Sequence, residues 1–401
     1  MLLRRTDFIF FIYSNEMRLK EKAMIISDKT IEIVEKEQKC IGCNACMKGC
    51  PMLDRFCDSP KTLLKKLLDE KSFDYKLPYS CMQCGYCTKV CPVDVDLKHL
   101  FMELRKDTVN QTDGKLPKDL NTSNVAMHQK LSFTGLFSKK IQHLESDTVF
   151  FPGCALQAYS PDLVEKVYSY IRKTTKGAGY YNVCCAKPTK MMGKDSEFQK
   201  IYIGIDEEFK RRKVKRVITG CQNCYMTILS NSPDIEVISL WEYIDKSGVP
   251  AEAKNKYKIQ KDEGLNTNKS EYSFVLHDPC PTRDVDSIHV AVRNIIAALG
   301  IEIDEMKYSK GKTLCCGAGG MVAITQNDIA KAHMRRRATE KDADYILTYC
   351  QECVESMRRG GSKSLHILDL IFLDDFLEVN QGNQSTLDKW KNRFIAKTAR
   401  L

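Results

Sequence analysis

The sequence predicts an α/β protein in three parts: a helical N-terminal unit followed by two copies of one strand–helix unit. Three observations carry that expectation. Two compact cysteine sets lie before residue 92. Ten further cysteines fall into two matching groups of five. Short apolar strands alternate with amphipathic helices through both groups.

The first set runs Cys40-Ile-Gly-Cys43-Asn-Ala-Cys46-Met-Lys-Gly-Cys50-Pro51, and the second Cys81-Met-Gln-Cys84-Gly-Tyr-Cys87-Thr-Lys-Val-Cys91-Pro92. Both read C-x2-C-x2-C-x3-C-P, the spacing of bacterial two-cluster ferredoxins, where three cysteines hold one 4Fe–4S cluster and the fourth ligates the other. A compact loop lets three thiolates converge while backbone N–H groups point at the sulfur, and the proline turns the chain away. Zinc also uses C-x2-C pairs, but two complete copies favour iron–sulfur. Between the sets, Ser59 and Pro60 open a helix through Leu63, Leu64, Leu67 and Leu68. After them, Leu97, Leu100, Phe101 and Leu104 mark another. A helical ferredoxin domain with two cubane clusters is therefore expected over residues 25–110. Cys57 fits neither set and reads as a buried or incidental thiol.

Composition sets the compartment. A chain of 401 residues does not need disulfides to hold a core, yet it carries 19 cysteines. The apolar run FIFFIY at Phe8–Tyr13 is too short for a membrane span or a signal core. Residues 1–24 read as a tail, with Met17 or Met24 as the expected start; a weak hydrophobic anchor is the alternative. Dense cysteine in a reducing cytoplasm means metal or catalysis. The net charge of +10 suits solubility, an anionic membrane surface or an acidic redox partner. No nucleic-acid motif accompanies it, so no nucleic-acid partner is expected.

The remaining chain is duplicated. Cys154, the pair Cys184–Cys185, and Cys221-Gln-Asn-Cys224 match Cys280, the pair Cys315–Cys316, and Cys350-Gln-Glu-Cys353. RVITGCQNC at Arg216–Cys224 resembles DYILTYCQEC at Asp344–Cys353. In the first copy, strand 148–151 ends before Cys154, a helix follows Ser160–Pro161, and strand 214–219 runs into Cys221. In the second, strand 272–276 precedes Cys280, a helix carries Ile288, Val292, Ile295, Ile296 and Leu299 to Gly300, and strand 345–347 leads to Cys350. Such alternation implies parallel sheets, whose sites gather beyond the carboxyl ends of the strands. Each C-x2-C pair is expected at a strand-to-helix junction, where the helix N-terminus favours thiolates. In TLCCGAGG, Thr313–Gly320, two adjacent thiols can reach one object only if the backbone turns sharply, which Gly317 permits. Five thiolates per copy exceed the four a cubane takes. Either one is not a ligand or a thiolate bridges irons.

At these residues the chain resembles the CCG cysteine-rich domain family. The tandem pair behind a two-cluster ferredoxin resembles the heterodisulfide reductase D-type iron–sulfur subunit. It is also similar to the glycolate oxidase iron–sulfur subunit and to the C-type subunit of anaerobic glycerol-3-phosphate dehydrogenase. The resemblance covers about residues 35–375. It implies two further 4Fe–4S clusters of non-cubane type, facing a disulfide substrate that is cleaved by one-electron steps. Carried over, the ligands are Cys154, Cys184, Cys185, Cys221 and Cys224, then Cys280, Cys315, Cys316, Cys350 and Cys353. The first copy departs from the pattern, with Ala186 where the second has Gly317. Alanine tolerates positive φ poorly, so the first site is expected to be shaped differently, to hold a cubane, or to take another metal such as zinc.

The expected domains are the ferredoxin unit, a linker at 111–146, CCG domains at 147–250 and 271–379 joined by a lysine-rich linker at 251–270, and a basic tail at 380–401. Gly317–Gly320 reads as a metal-site turn rather than a nucleotide loop. Arg335, Arg336 and Arg337 read as a solvated face, with a docking patch as the sharper alternative. His277 reads first as a structural hydrogen-bonding group and second as a group tuning a cluster. No flavin or nicotinamide fold is visible, so a flavin belongs on a partner. Function is expected to be that of an iron–sulfur oxidoreductase subunit. Electrons would pass from the ferredoxin clusters to the CCG sites and reduce a disulfide-type small molecule. The alternative is a non-catalytic relay from a flavoprotein dehydrogenase of a 2-hydroxy acid or glycerol phosphate to quinone or another carrier. The expected location is cytoplasmic, or peripheral on the inner membrane face. No catalytic residue, substrate or electron direction is assigned.

Overall fold

The computed structural model describes residues 23–258 and 272–398. Most of the expected tail at 1–24, and most of the linker at 251–270, lie outside the described residues. In the N-terminal unit, strands β1 (Ala23–Ile25) and β2 (Ser72–Asp74) pair antiparallel. The Ser59 hydroxyl accepts from the Lys61 N–H at the start of helix Pro60–Glu70, which buries Leu63, Leu64 and Leu67. Asp96 caps helix Leu97–Gln111 in the same way, accepting from the His99 N–H.

Each copy builds a four-stranded parallel sheet. The first copy contributes β3 (Thr148–Phe151), β4 (Gly179–Tyr180), β5 (Arg216–Thr219) and β6 (Glu236–Ser239), in spatial order β4-β3-β5-β6. The second contributes β7 (Phe274–His277), β8 (Asp304–Glu305), β9 (Tyr345–Thr348) and β10 (Ser364–His366), in the same topological order, β8-β7-β9-β10. The registers match as well, with Phe151 opposite Thr219 and His277 opposite Thr348. The duplication read from cysteine spacing is thus a duplication of fold.

The two copies share one core. Residues such as Phe150, Val167, Ile218 and Trp241 pack in continuity with Leu276, Val292, Leu347 and Ile371. The ferredoxin core continues instead into the second copy, where Leu100, Phe101 and Leu104 share a cluster with Cys315, Val322, Ile329 and Met334.

Two segments differ from expectation. The stretch at 111–146 contains helix Ser123–Ser132, which buries Val125, Gln129 and Ser132. The stretch at 380–401 contains helix Thr386–Thr398, which packs on helices Cys154–Tyr159 and Pro161–Thr174. Its side chains and those just before it satisfy carbonyls at the end of a short helix: Asn392 donates to Ala158 O and Gln384 to Tyr159 O, each at 2.8 Å. Polar residues read as tail are recruited to cap a neighbour, which periodicity does not reveal.

One buried cation joins all three units. Arg105, on helix Leu97–Gln111, is fully buried. Its guanidinium donates to Pro78 O at 2.9 Å and Cys81 O at 2.7 Å in the ferredoxin unit, to Met191 O in the first copy, and to Gly320 O at 2.9 Å in the second. It also lies over the Tyr79 ring, whose hydroxyl donates to Met192 O. Hydrogen bonds to a charged donor contribute about 1.5–3 kcal/mol each, and orphaned buried carbonyls cost about 1–3. Arg105→Leu should therefore lower stability by at least roughly 3–5 kcal/mol in urea denaturation. Arg105→Lys should recover only part, because an ammonium has three donors and no planar fork.

A second buried contact ties the copies together and carries a pH signature. Asp369 accepts from the Tyr159 hydroxyl at 2.6 Å and the His366 N–H at 2.9 Å. Burial pushes its carboxyl up to about 6 from 3.8. A raised carboxyl pKa means the folded protein holds a proton that the unfolded chain has lost. The associated stability is full below the ordinary value and falls as pH rises through about 6, by about 3 kcal/mol at the limit. Asp369→Asn should flatten that part of a thermal-stability profile between about pH 4 and 7.

Candidate iron–sulfur sites and their junction

The ferredoxin motifs form two adjoining cavities. One is lined by Cys40, Cys43 and Cys46 of the first motif with Cys91 of the second. The other is lined by Cys81, Cys84 and Cys87 of the second motif with Cys50 of the first. Cys46 and Cys87 border both. The fourth cysteine of each motif thus lines the other motif's cavity. Backbone N–H groups approach the sulfurs: Gln83 N lies 3.4 Å from Cys81 Sγ and Val95 N lies 3.3 Å from Cys91 Sγ. Cys57 turns away, donating to Leu53 O at 3.4 Å.

These thiols are crowded and, apart from the exposed Cys43, half-buried. Burial pushes Cys46 and Cys81 up to about 11, and burial with repulsion from Cys84 pushes Cys50 up to about 12. Without a cation, such a nest would stay protonated. A coordinating metal removes those protons outright. The donor set therefore fits a cationic, thiolate-bound core and suits no apolar ligand.

In each copy the five cysteines converge beyond the strand ends. Cys221 is the N-cap of helix Gln222–Asn231 and Cys350 the N-cap of helix Gln351–Gly360, so both C-x2-C pairs sit at the expected junction. Cys154 Sγ lies 3.8 Å from Cys184 Sγ, and Cys316 Sγ lies 3.2 Å from Cys353 Sγ. Cys185 meets Cys184 and Cys224, while Cys315 meets Cys280 and Cys316. Each set can hold one metal centre. A side chain at Gly153 would meet Cys224 Sγ and Cys221 Cβ at 3.0 Å, so the absence of a Cβ there keeps the first nest open.

The glycines of the second copy have two separate duties. Gly317 takes φ +98°, and a Cβ there would strike Met334 Cγ at 2.6 Å. At Gly319 and Gly320 a Cβ would collide with the carbonyl oxygens of Met82 and Cys81. The last two glycines exist because the ferredoxin loop presses directly on this turn. In the first copy Ala186 adopts φ +60° and ψ +9°, the left-handed conformation despite its Cβ. The backbone turn is kept there, at a cost of about 1–2 kcal/mol. The expected difference in shape does not arise from this turn.

The ferredoxin loop and the second copy meet at one cavity, lined by both Cys84 and Cys315. The neighbouring Cys315 thiol, together with burial, raises Cys84 well above the ordinary thiol range. Arg283 clamps the junction, donating to Cys84 O at 2.9 Å, Gly311 O at 2.6 Å and Thr313 O at 3.1 Å.

The arginine run is not a solvated face. Arg335 is exposed, but Arg336 is half-buried and lines the second ferredoxin cavity with His333. Arg337 is fully buried and donates from Nε to His277 Nδ1 at 2.9 Å, with Glu340 as its ionic partner. Burial, with the Arg337 guanidinium beside it, holds His277 below the ordinary imidazole range. Helical periodicity could have separated Arg337 from Arg335, since Arg337 stands four residues after the buried His333.

Sequence reasoning missed several neighbours of the first site. Gln129, in the segment read as linker, donates to Cys184 Sγ at 3.5 Å and accepts from the Thr189 hydroxyl at 3.0 Å. Arg393, in the segment read as tail, donates to Cys154 O at 3.2 Å and stacks on Trp390. Lys187 is within electrostatic reach of Cys185 in one copy and Cys280 in the other; burial lowers it to about 8. No local motif marks these residues. Among the described residues, no helix is long and apolar enough to cross a membrane.

Comparison with known proteins agrees with this geometry. The 4Fe-4S dicluster domain family matches residues 32–92, and the CCG cysteine-rich domain family matches residues 148–229 and 274–358. The chain is similar to an uncharacterised iron–sulfur protein of Methanococcus maripaludis, 23% identical over 85% of this chain and 73% of the relative. It is similar to the B-type subunit of fumarate reductase (CoM/CoB) from Methanothermobacter marburgensis, 21% identical over 86% and 74%. It is also similar to the D-type subunit of dihydromethanophenazine:CoB–CoM heterodisulfide reductase from Methanosarcina barkeri, 21% identical over 80% and 88%.

The tight junction makes a direct prediction. Gly320→Val should push the ferredoxin loop off the second copy, since the new side chain meets Cys81 O. Its two ferredoxin-type signals should persist, while protease cleavage between the units accelerates and electron transfer onward slows by tenfold or more.

Proposed function

We propose that this chain, in which a 4Fe-4S dicluster domain precedes two CCG cysteine-rich domains, is an iron–sulfur oxidoreductase subunit that carries electrons from the dicluster cavities through the second CCG site to the first. There it reduces a disulfide-type small molecule. Iron–sulfur clusters, when bound, supply one electron at a time at each of these four thiol sets. The ligands would be Cys40, Cys43, Cys46 and Cys91; Cys81, Cys84, Cys87 and Cys50; and the two sets of five.

The observation that carries this reading is the cavity that Cys84 and Cys315 line together. It joins a ligand of one centre to a ligand of the next, and Arg105 and Arg283 hold the loops that bear them. The second step runs between copies, where helix Gln222–Asn231 packs on the turn Cys280–Thr282. Cys154, Cys221 and Cys280 are the partly open thiols of the two CCG sets; the other seven are buried. A disulfide would approach at that open edge, with the Lys187 ammonium near Cys280 to hold an anionic group or an emerging thiolate. Cleavage takes two electrons from the redox partner and two protons from solvent, breaks one S–S bond and leaves two thiols.

A second reading is a relay between a flavoprotein or other redox subunit and a quinone or another carrier. It draws support from the cover over the first site, where helix Thr386–Thr398 sets Arg393 on Cys154 O and Trp390 against His128 and Phe137.

The deciding experiment uses anaerobically prepared full-length protein containing iron and sulfide for four clusters. Addition of small disulfides to the reduced protein should generate a new paramagnetic species and release thiols in proportion to electrons supplied. No new species and no thiol release, with all four centres present, favours the relay.

A further inference from the structure

The two copies keep one fold but differ at a matched position beside the thiols. His277 ends β7 where Phe151 ends β3; both occupy the same register position, opposite Thr348 and Thr219. Phe151 sits in an aromatic shell, edge-on to Tyr181 at 5.7 Å. His277 is fully buried, and a ring nitrogen lies within 4.8 Å of Cys316 Sγ and Cys353 Sγ, which are themselves within that distance of each other.

The imidazole's proton can be placed from its neighbours. Arginine has donors only, so the Arg337 Nε–H requires His277 Nδ1 to be the acceptor. The neutral ring then carries its proton on Nε2. Nε2 is buried and makes no hydrogen bond, while Cys316 Sγ lies within 4.8 Å of a ring nitrogen. A buried N–H without a partner is costly. An anionic sulfur in this nest would satisfy it.

We infer that His277 donates its Nε2–H to ligand sulfur in the second CCG site, with Arg337 as the positioning residue that fixes its tautomer, and that this makes the two CCG centres electrochemically unequal. A hydrogen bond to a cluster sulfur stabilises the more negative, reduced form and raises the potential. The second centre therefore accepts electrons from the ferredoxin unit more readily than it would with phenylalanine at position 277. Phe151 offers its own site no such donor. The inference rests on the reading that the second set of five thiols holds an iron–sulfur cluster, but not on disulfide reduction.

The test compares the loaded full-length protein with its His277→Phe variant, which restores the residue of the first copy. Redox titration followed by EPR should show one CCG centre shifted downward, with the reduced-to-oxidised ratio at fixed potential falling about tenfold, equivalent to about 59 mV for one electron. The other three centres should not move. An unchanged potential with iron content intact overturns the inference.

A measurement on the unmutated protein covers the case in which the variant loads poorly. With 15N-histidine and deuterated water, hyperfine spectra of the second CCG centre should show one weakly coupled nitrogen and one exchangeable deuteron. Strong coupling, meaning direct ligation by nitrogen, overturns it, as does the absence of both couplings. Iron missing from the second set alone would overturn the cluster reading itself, a result distinguishable from an unshifted potential.

Discussion

A single guanidinium in a ring of main-chain carbonyls holds this molecule in its working arrangement. Cysteine loops that wrap inorganic clusters have little regular secondary structure, so their peptide groups must be satisfied elsewhere. Arg105 takes up Pro78 O and Cys81 O from the ferredoxin loop, and also reaches Met191 O and Gly320 O. Arg283 does the same for Cys84 O. Both use carbonyls rather than carboxylates. The loop's opposite polarity stays available to sulfur, as with Gln83 N toward Cys81 Sγ.

From that arrangement follows the closeness of the redox sites. Cys84 and Cys315 line one cavity because Gly319 and Gly320 let the Cys81–Met82 backbone settle on the turn. Thiols so crowded resist ionisation, through burial and through one another. Metal coordination reverses that balance. The pocket is poorly suited to free thiols and well suited to a thiolate cage, and the junction between units depends on the same chemistry.

Duplication then diverged in electrostatics rather than topology. Both sheets share strand order and register. The second copy faces the ferredoxin unit and has gathered His277, His333, Arg336 and Arg337 around its cysteines. The first is clad by Phe151, Tyr181 and Phe209, and closed by two helices drawn from outside the repeat, which bring Gln129 to Cys184 and Arg393 to Cys154. Equal numbers of thiols thus sit in unequal surroundings.

Much of this was legible in the chain. Cysteine spacing, with Ser59, Pro60 and the leucine stripe behind it, determined the ferredoxin unit, because those signals act within a few residues. Apolar runs leading into Cys154, Cys221, Cys280 and Cys350 determined two parallel sheets with thiols at the strand ends. Tertiary structure alone decided which unit docks on which copy, why Gly319 and Gly320 lack side chains, and that an apparent linker and tail supply residues to the first site. It also decided that Arg337 is buried while Arg335 is exposed. The reason is physical: local patterns report the period at which a segment repeats, whereas a side chain's partner across hundreds of residues is set only when the chain has packed.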